Sequence, residues 1–374
     1  MKIRGKHYRT GERIDVAWHA GRVDAIAPSD SDPADREAGW IAPAFFDLQI
    51  NGCLGHSFNS PDLTIAQVRE VIDVCRAHGI AGLLPTLVTN SFEALYHGFT
   101  TLRNAIVSDA VVADAVPGFH LEGPYLSGED GPRGAHPKAH IRPPNWDEFQ
   151  RWQEASGGRI KLVTLAPEYD QALDFIERLV KSGVVVAIAH TAASGARIRE
   201  AIQAGARLST HLGNGSHAVL PRHDNYIWEQ LAADELWASL IPDGHHLPPA
   251  LVKSIVRVKT PARSIITCDA SSLAGLPPGR YAQWGTELEV LPHGKVVVPG
   301  TPFLAGSGVF TDACVASCAS MAGIDLADAI DMAGARPREL LGLSVDRLEL
   351  GSRCRLLLYD LEGADLIVRE VLTN

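Results

Sequence analysis

Two histidines are the residues of this chain whose type and spacing first suggest chemistry. His190 follows the apolar segment Val184 to Ala189, and His211 lies within a second apolar segment, Leu208 to Leu212. Continuous apolar segments of this kind are typical of strands in a parallel sheet that is covered on both faces. The separation of 21 residues is enough for a loop, a short helix and a return strand, so both imidazoles can lie at the same ends of adjacent strands. A single histidine in such a place is more often a structural residue than a metal ligand.

The part of the chain around these histidines predicts a (β/α)8 barrel. Residues 45 to 344 alternate apolar segments with helical periodicity, which is the pattern of successive strand and helix units. Between the two histidines, Ser194 is suited to cap a helix that Gly205 would end. Eight strands favour a closed barrel over an open sheet. The predicted strands are Phe45 to Ile50, Ala81 to Thr86, Ala115 to Leu121, Ile160 to Leu165, Val184 to Ala189, Leu208 to Leu212, Trp237 to Ile241 and Ser264 to Cys268.

The two ends of the chain have a different pattern. Residues 1 to 44 and 345 to 374 consist of short strand-like segments separated by turn signals, and they predict one small β-sandwich domain built from both termini. Within the barrel region, an insertion from Leu273 to Thr301 is rich in Gly and Pro and predicts a hairpin around His293 and Gly294. A long segment of this composition is typical of an active-site loop or lid.

Composition limits the classes of function. The chain has 374 residues, a formal net charge of −10 and no segment rich in Lys and Arg, so neither nucleic acid nor a membrane surface is an expected partner. No segment has the pattern of a signal peptide, and none has the roughly 18 uninterrupted apolar residues of a membrane span. Six cysteines without CxxC pairs suit free thiols in a reducing compartment. We therefore expect a cytoplasmic protein that acts on a small molecule.

Polar residues collect at the carboxyl ends of the predicted strands, which form one face of a barrel. Glu122, His190 and His211 form a three-ligand set of the kind that binds Zn²⁺ and leaves a position for water. A metal ion in such a site lowers the pKa of its water and polarises a carbonyl oxygen, and a nearby carboxylate can carry the proton to a leaving amine. Asp269 is the candidate for that carboxylate, with a turn or helix-capping role as the alternative. The same face carries Gln49, Asn51, Asp243, His245 and His246.

Eight short motifs occur in order along the chain: QIN (Gln49 to Asn51), HLEGP (His120 to Pro124), VTLAPE (Val163 to Glu168), AHT (Ala189 to Thr191), THLGN (Thr210 to Asn214), DGHH (Asp243 to His246), CDA (Cys268 to Ala270) and LAGS (Leu304 to Ser307). Each motif alone is weak, whereas eight in the same order are specific. In this set the chain resembles the N-acetylglucosamine-6-phosphate deacetylases of the amidohydrolase superfamily. The resemblance extends from the first β segment nearly to the C-terminus.

The resemblance implies a (β/α)8 barrel beside a small β-sandwich, assembled as a homodimer. It implies hydrolysis of the acetamide of N-acetylglucosamine 6-phosphate to glucosamine 6-phosphate and acetate. One divalent metal ion per subunit is expected, with zinc ahead of iron, cobalt or manganese, and its implied ligands are Glu122, His190 and His211. A single ion also suits the first strand, because the neutral side chains of Gln49 and Asn51 are poor ligands for a second one.

The resemblance also implies roles for residues around the metal. Asp269 would act as general base and then as general acid, and His246 would orient or polarise the acetyl carbonyl. Arg222, eleven residues after His211, falls where the family has an arginine for the phosphate, and an arginine fork suits phosphate oxygens. The alternative for an isolated arginine is a solvated surface charge. The implied sugar contacts are Ala135, His136, Asn214, Gly215, His246, Leu304, Ala305 and Gly306.

The chain departs from the family pattern near the predicted substrate. The segment 214–216 reads Asn-Gly-Ser where Asn-Ala-Met is common, and Glu129 and Asp130 stand where lysine is common. Cys268 precedes Asp269 where Ser or Thr is usual, and its thiol either favours a softer ion or packs in the core. The alternatives are therefore an amidohydrolase for an unphosphorylated or epimeric N-acetyl amino sugar or another N-acyl amine, and a barrel that binds a sugar without turnover.

Overall fold

The central sheet of the protein contains eight parallel strands in a computed structural model that describes residues 1–283, 286–301 and 303–373. The sheet is closed, because Ile50 forms a parallel bridge to Ala270 and the Asn51 amide donates to the Ala270 carbonyl at 2.8 Å. The predicted (β/α)8 barrel is thereby confirmed. Barrel strands one to eight are, in order, Phe45–Ile50, Ile80–Val88, Phe119–Glu122, Ile160–Leu165, Val185–Ile188, Leu208–Ser209, Trp237–Leu240 and Ser264–Ile266.

Helices follow the strands and cover the barrel from outside. The first begins at a capping box in which the Thr64 and Gln67 side chains each accept from the other residue's backbone amide. Ser194 caps the helix between the two histidines, as predicted, by accepting from the Arg197 amide. No helix in the described residues is long and apolar enough to cross a membrane. The α-helices are Ile65–Ala77, Phe92–Ser108, Ala110–Ala115, Trp146–Ala155, Ala172–Lys181, Gly195–Gln203, Tyr226–Ala232, Pro249–Lys259, Thr311–Ala322, Leu326–Ala333 and Ala335–Leu340.

Six of the eight predicted strands have different bounds in the structure, and two of them, the third and the sixth, differ by more than two residues at one end. The third was expected from Ala115, but Ala110–Ala115 is helical and the strand is Phe119–Glu122. Asp109 accounts for the difference, because its side chain accepts from two backbone amides in the first turn of that helix and caps it. The sixth strand ends at Ser209 because the backbone turns at His211, which has a positive φ.

The interior of the barrel changes from apolar to polar along the strands. Nearest the amino ends is a buried apolar layer of Phe46, Leu48, Leu84, Leu162, Ala187, Leu208 and Ile265. Alternate residues of a strand share a face, so the next inward positions hold a threonine layer of Thr86, Thr164, Thr210 and Thr267. His120 joins this layer, since its Nε2 lies 2.8 Å from Thr164 Oγ1, which in turn lies 2.9 Å from Thr210 Oγ1. The predicted metal ligands follow at the carboxyl ends.

Both termini contribute to a six-stranded sheet beside the barrel, which confirms the predicted small β domain. The sheet curls until Arg22 forms a bridge with Arg353. It encloses a separate apolar core that includes Ile3, Val16 and Leu356. In sheet order the strands are Asp365–Leu372, Leu356–Glu362, Arg36–Pro43, Lys2–His7, Arg13–His19 and Arg22–Pro28.

The predicted lid contributes three strands to an antiparallel insertion sheet, and a fourth strand follows the lid in the chain. The strands are Gly279–Gln283, Thr286–Val290 and Lys295–Val297 from the lid, then Leu304–Ser307. The expected hairpin is confirmed: a 3-10 turn at Pro292–Gly294 joins two of these strands, and His293 adopts a φ of 65° within it. A parallel bridge from Ala270 to Ser307 attaches the insertion sheet to the barrel. Residues 284 and 285 of the predicted lid lie outside the described residues.

Candidate metal centre

Three predicted site residues follow barrel strands in a backbone conformation that is uncommon outside glycine. His190, His211 and Asp269 have φ values of 49°, 34° and 50°, in the left-handed region. Such a conformation costs on the order of 1 kcal/mol or more per residue, so neighbouring contacts must hold it. The His211 amide donates to Ser239 Oγ at 2.7 Å, and the His190 carbonyl accepts from the Ser127 amide at 2.9 Å. All three side chains line the same cavity.

Glu122, His190 and His211 bring their ligand atoms together. Glu122 Oε1 lies 3.0 Å from His211 Nε2 and 3.3 Å from His190 Nε2, and the two Nε2 atoms are 3.2 Å apart. All three residues are buried. Burial alone would raise the pKa of Glu122, but the two neighbouring imidazoles outweigh burial and hold that pKa well below its ordinary value. Glu122 is therefore a carboxylate.

The hydrogen bonds of these residues fit a divalent cation. His190 Nδ1 lies 2.7 Å from the Pro132 carbonyl, which can only accept, so Nδ1 carries the proton and Nε2 presents a lone pair. Gln49 Nε2 donates to Glu122 Oε2 at 2.9 Å and leaves Oε1 facing the imidazoles. A carboxylate oxygen and an imidazole lone pair 3.3 Å apart repel each other unless a cation lies between them. This donor set therefore suits a divalent metal ion.

His136 belongs to the same cluster, although the sequence suggested only a sugar contact for it. Its Nε2 lies 3.2 Å from His190 Nε2, and Glu122, His136 and His190 offer ligand atoms within 4.8 Å of one another. Burial, together with the neighbouring His190, lowers the pKa of His136 to about 3, so its ring is neutral. Arg133 holds the loop by donating to the His136 carbonyl at 2.8 Å. No sequence periodicity pointed to this arrangement, because His136 lies in a loop.

Asp269 faces the same space from the end of the eighth strand. Asn51 Nδ2 donates to Asp269 Oδ1 at 2.7 Å, so Oδ2 is the oxygen without that bond. Burial and the nearby charge of Glu122 raise the pKa of Asp269 to about 8. A carboxyl group with a pKa near neutrality can both accept and give a proton. Two neutral side chains at the end of the first strand thus each donate a hydrogen bond to one carboxyl group. Gln49 donates to Glu122, and Asn51 donates to Asp269.

Asp47, which was not among the predicted site residues, connects the first strand to the eighth beneath Asp269. Its carboxylate accepts from the Thr311 hydroxyl at 2.6 Å, from the Cys268 amide at 2.9 Å and from the Thr267 hydroxyl. Asp47 is fully buried, and burial raises its pKa. An aspartate between the apolar residues Phe46 and Leu48 was the signal in the sequence. The Cys268 side chain is buried in the apolar core and does not line the cavity, so its role is packing.

A cavity of about 510 Å³ opens at this end of the barrel. The predicted ligands, Asn51 and Asp269 form part of its wall, and the insertion sheet forms another part. A volume of this size with a mixed polar and apolar lining is typical of a site for a small molecule. Of the predicted substrate contacts, the cavity is lined by Ala135, His136, Asn214, Gly215, His246, Leu304, Ala305 and Gly306.

His246 is oriented within this cavity by Asp243. Its Nδ1 lies 2.8 Å from Asp243 Oδ2, which leaves Nε2 for other partners. Although burial opposes it, the hydrogen bond with His246 lowers the pKa of Asp243 to about 2. Ser307 Oγ also donates to Asp243 Oδ2, at 3.0 Å. This pair is therefore tied to the insertion sheet.

Arg222 lies outside the cavity of its own chain. It is exposed, and its carbonyl accepts from Trp228 Nε1 at 3.2 Å. Val219 and Trp228, which are near it in the chain, are also exposed. The structure therefore does not bring Arg222 together with the other predicted substrate contacts.

The two acidic residues of the loop before His136 are paired with basic side chains. Asp130 Oδ1 lies 2.8 Å from Arg133 Nη2, and Glu129 Oε2 lies 3.1 Å from His217 Nε2. Hydrogen bonding to the Arg133 guanidinium lowers the pKa of Asp130. Neither carboxylate lines the cavity, so neither faces a ligand bound there.

A (β/α)8 barrel that carries a Glu–His–His donor set and a buried aspartate at the carboxyl ends of its strands defines a metal-dependent amidohydrolase.

A scan against models of protein families found no match. N-acetylglucosamine-6-phosphate deacetylase of Bos taurus is 35% identical over 81% of this chain and 75% of its own length. N-acetylgalactosamine-6-phosphate deacetylase of Escherichia coli O157:H7 is 30% identical over 91% of this chain and 89% of its own length.

A solved structure is similar over the whole chain. It is a mutant of N-acetyl-D-glucosamine-6-phosphate deacetylase from Mycobacterium smegmatis in complex with N-acetyl-D-glucosamine-6-phosphate. The two structures share a TM-score of 0.88 and 28% sequence identity, over 100% of this chain and 99% of the other. The chain belongs to the N-acetylglucosamine-6-phosphate deacetylase family.

Proposed function

We propose that this protein is a metal-dependent deacetylase that hydrolyses the acetamide of N-acetylglucosamine 6-phosphate to glucosamine 6-phosphate and acetate. The observation that carries the proposal is the convergence of Glu122, His190 and His211 in a cavity that Asp269 also lines. The names of the relatives, and the sugar phosphate bound in the Mycobacterium smegmatis structure, support an amino sugar phosphate as the substrate.

The proposed cofactor is one divalent ion per subunit, held by Glu122, His190 and His211. We propose zinc, with iron, cobalt or manganese as alternatives. When bound, the ion supplies Lewis-acid polarisation of the acetamide carbonyl and of the attacking water. The protein's part is to orient the donors: the Pro132 carbonyl sets the tautomer of His190, and Gln49 sets the orientation of the Glu122 carboxylate.

Asp269 is the proposed proton carrier. Because Asn51 holds Oδ1, Oδ2 takes the proton from the attacking water and then gives it to the departing amine nitrogen. A pKa raised toward neutrality by burial and by Glu122 suits a group that acts first as a base and then as an acid. His246, oriented by Asp243, is proposed to orient or polarise the acetyl carbonyl from the cavity wall.

The remaining roles follow the family resemblance. The sugar is proposed to contact the cavity residues Ala135, His136, Asn214, Gly215, Leu304, Ala305 and Gly306. Arg222 is a proposed phosphate ligand, and its exposure outside its own cavity is compatible with action across the homodimer that we also propose. Six buried free cysteines support a reducing compartment, and we propose the cytoplasm.

The test is acetate release measured in parallel on the 6-phosphates of N-acetylglucosamine and N-acetylgalactosamine and on both free sugars, with metal content determined on the same sample. We expect the fastest turnover on N-acetylglucosamine 6-phosphate. The similarity to the N-acetylgalactosamine-6-phosphate deacetylase makes the epimer the second candidate, and a faster rate on that substrate would favour it. No acetate release from any of the four after loading with zinc, iron or cobalt would overturn the proposal.

A further inference from the structure

The cavity contains a cation to which the proposed function gives no role. Lys295 is the one lysine or arginine among the described residues that line the cavity. It forms no ion pair with any carboxylate in the described parts of the chain. An ammonium group in the wall of a substrate cavity, without a carboxylate partner there, is suited to bind an anionic group of the substrate.

The register of the insertion sheet places the backbone of Lys295 at a distance from the proposed proton carrier, Asp269. Lys295 pairs with Ser307 in antiparallel register, and Ser307 bridges to Ala270, which follows Asp269. Two strand spacings, roughly 10 Å, therefore separate the backbone of Lys295 from that of Ala270. The acetamide and the 6-phosphate lie on opposite sides of the sugar ring, so a lysine whose backbone is this far from the residue after Asp269 suits the phosphate.

The pairing also determines the face from which Lys295 projects. Residues directly opposite each other in an antiparallel pair have side chains on the same face of the sheet. Ser307 Oγ donates to Asp243 Oδ2 at 3.0 Å, and Asp243 is the partner of His246 in the cavity. Lys295 therefore extends from the same face of the sheet as Ser307, whose hydroxyl contacts the carboxylate that orients His246.

The hairpin that carries Lys295 is held in position by neighbouring groups. His245 Nε2 donates to the His293 carbonyl at 3.0 Å, and the Gly308 amide donates to the Gly294 carbonyl at 2.9 Å. Leu288, from the adjacent strand of the insertion sheet, lines the same cavity and makes its wall partly apolar. A backbone that is already ordered loses less conformational entropy on binding, and an apolar wall strengthens the attraction of a cation for an anion.

An anionic group of the substrate gains from such a cation because two carboxyl groups line the same cavity. The chain has a formal net charge of −10, and Glu122 and Asp269 lie at the chemical end of the cavity. A phosphate group that leaves water without new hydrogen-bond donors is costly to bury. Since Arg222 lies outside the cavity, we propose that Lys295 binds the 6-phosphate and determines the preference for phosphorylated substrate from within the same chain. This inference rests on the proposed function and extends it to a specificity residue.

The test compares Lys295→Met, which keeps the length of the side chain, with Lys295→Arg, which keeps the charge. Kinetic constants are measured on N-acetylglucosamine 6-phosphate and on free N-acetylglucosamine, with inorganic phosphate as a competitive inhibitor. We expect Lys295→Met to raise KM for the phosphorylated sugar by roughly 10- to 100-fold with kcat nearly unchanged, because a contact made equally in ground and transition states is lost. It should weaken phosphate inhibition and leave the rate on the free sugar unchanged. Lys295→Arg should recover most of the loss.

Lys253→Met is the matched control, since Lys253 is also half-buried but lies on the helix Pro249–Lys259 and does not line the cavity. Equal losses on both sugars in Lys295→Met, or no loss on either, would overturn the role of Lys295 while leaving the deacetylase proposal intact. Wild-type protein that releases acetate from the free sugar and not from the phosphorylated one would overturn the phosphate preference itself. Thermal unfolding of each variant shows whether the hairpin stays folded.

Discussion

The two ends of the barrel interior are built by the same strands and differ in their physical chemistry. At the amino ends, side chains such as Leu162 and Ile265 are apolar and fully buried. At the carboxyl ends, Glu122 is a buried carboxylate, and Asp269 combines a positive φ with a raised pKa. The first region gains free energy from packing, whereas the second holds charges and backbone conformations that folding alone disfavours. Packing at the amino ends of the strands thus offsets the free-energy cost of the charged and strained residues at the carboxyl ends, where the chemistry takes place.

If the polar end is a metal centre, Glu122→Gln should have the largest effect of any single change. An amide is a poorer ligand than a carboxylate, and its NH2 group would face the imidazoles in place of one oxygen. We expect loss of bound metal and a fall of acetate release to background, both measured on the purified variant. Glu177→Gln on the surface of helix Ala172–Lys181 is the control. A Glu122→Gln protein that kept its metal and its activity would contradict the ligand assignment.

Asp269→Asn should remove catalysis while keeping the metal, which separates proton transfer from ion binding at the same end. General acid–base catalysis contributes about 10²- to 10⁴-fold, and we expect kcat to fall by that order with metal content unchanged. Metal analysis and steady-state kinetics on one preparation check this result. Equal losses of metal and activity would mean that Asp269 acts as a ligand instead.

The same variant tests the stability cost of the polar end. The pKa of Asp269 is raised in the folded protein from 3.8 to about 8, so this carboxyl group lowers folding stability as pH rises between these values. Metal-free wild-type protein should therefore lose stability from this group across that range, and Asp269→Asn should not. Chemical denaturation of the chelated proteins at several pH values measures the difference, which should be largest near pH 8.

At the apolar end of the barrel, a substitution should lower the free energy of unfolding and leave activity unchanged. Leu162→Ala removes buried methyl groups from the apolar layer, and such changes cost about 2–5 kcal/mol of unfolding free energy. Activity per folded molecule should stay unchanged, because the threonine layer lies between the apolar layer and the metal ligands. Denaturation midpoints and kinetics on the same samples check both parts. Val258→Ala, at an exposed helix position, is the control and should change neither. A large fall in kcat for Leu162→Ala would show that the two ends are coupled.

Much of the difference between the apolar and the polar end of the barrel could be predicted from the sequence. Parallel strands appear as continuous apolar segments, and polar residues that follow them, such as Glu122 and His190, must lie at one face of a barrel. Other features depend on register or on loops. The pairing of the first strand with the second shifts between Asp47 and Ile50, and Gln49, which donates to Glu122, lies within this irregularity. No single-strand pattern reveals such a shift.

Loop residues were harder to predict for a different reason. His136 reaches the metal ligands from a loop that has no periodicity, and Lys295 lines the cavity through pairings between the insertion sheet and the eighth strand. These contacts join parts of the chain that are distant in sequence. The predicted third strand began at Ala115, but that residue ends the helix Ala110–Ala115, which Asp109 caps.

The threonine layer between the two ends should show an intermediate and smaller effect. Thr164→Val keeps the shape of the side chain but removes the hydroxyl that bonds to both His120 Nε2 and Thr210 Oγ1. Leaving such buried groups without a partner costs about 1–3 kcal/mol, so unfolding free energy should fall by that order. Thr164→Ser retains the hydroxyl and is the control.

The kinetics of Thr164→Val then locate the boundary between the two regions. Thr210 immediately precedes His211, and His120 lies two residues before Glu122 on the same strand, so the hydroxyl could help to hold two metal ligands. A fall in stability with kcat and metal content intact would assign the threonine layer to the stabilising part of the barrel. A fall in kcat that Thr164→Ser reverses would show instead that positioning of the ligands begins one layer below them. The present contacts favour the first result, because neither Glu122 nor His211 bonds to a threonine of this layer through its side chain within the described residues.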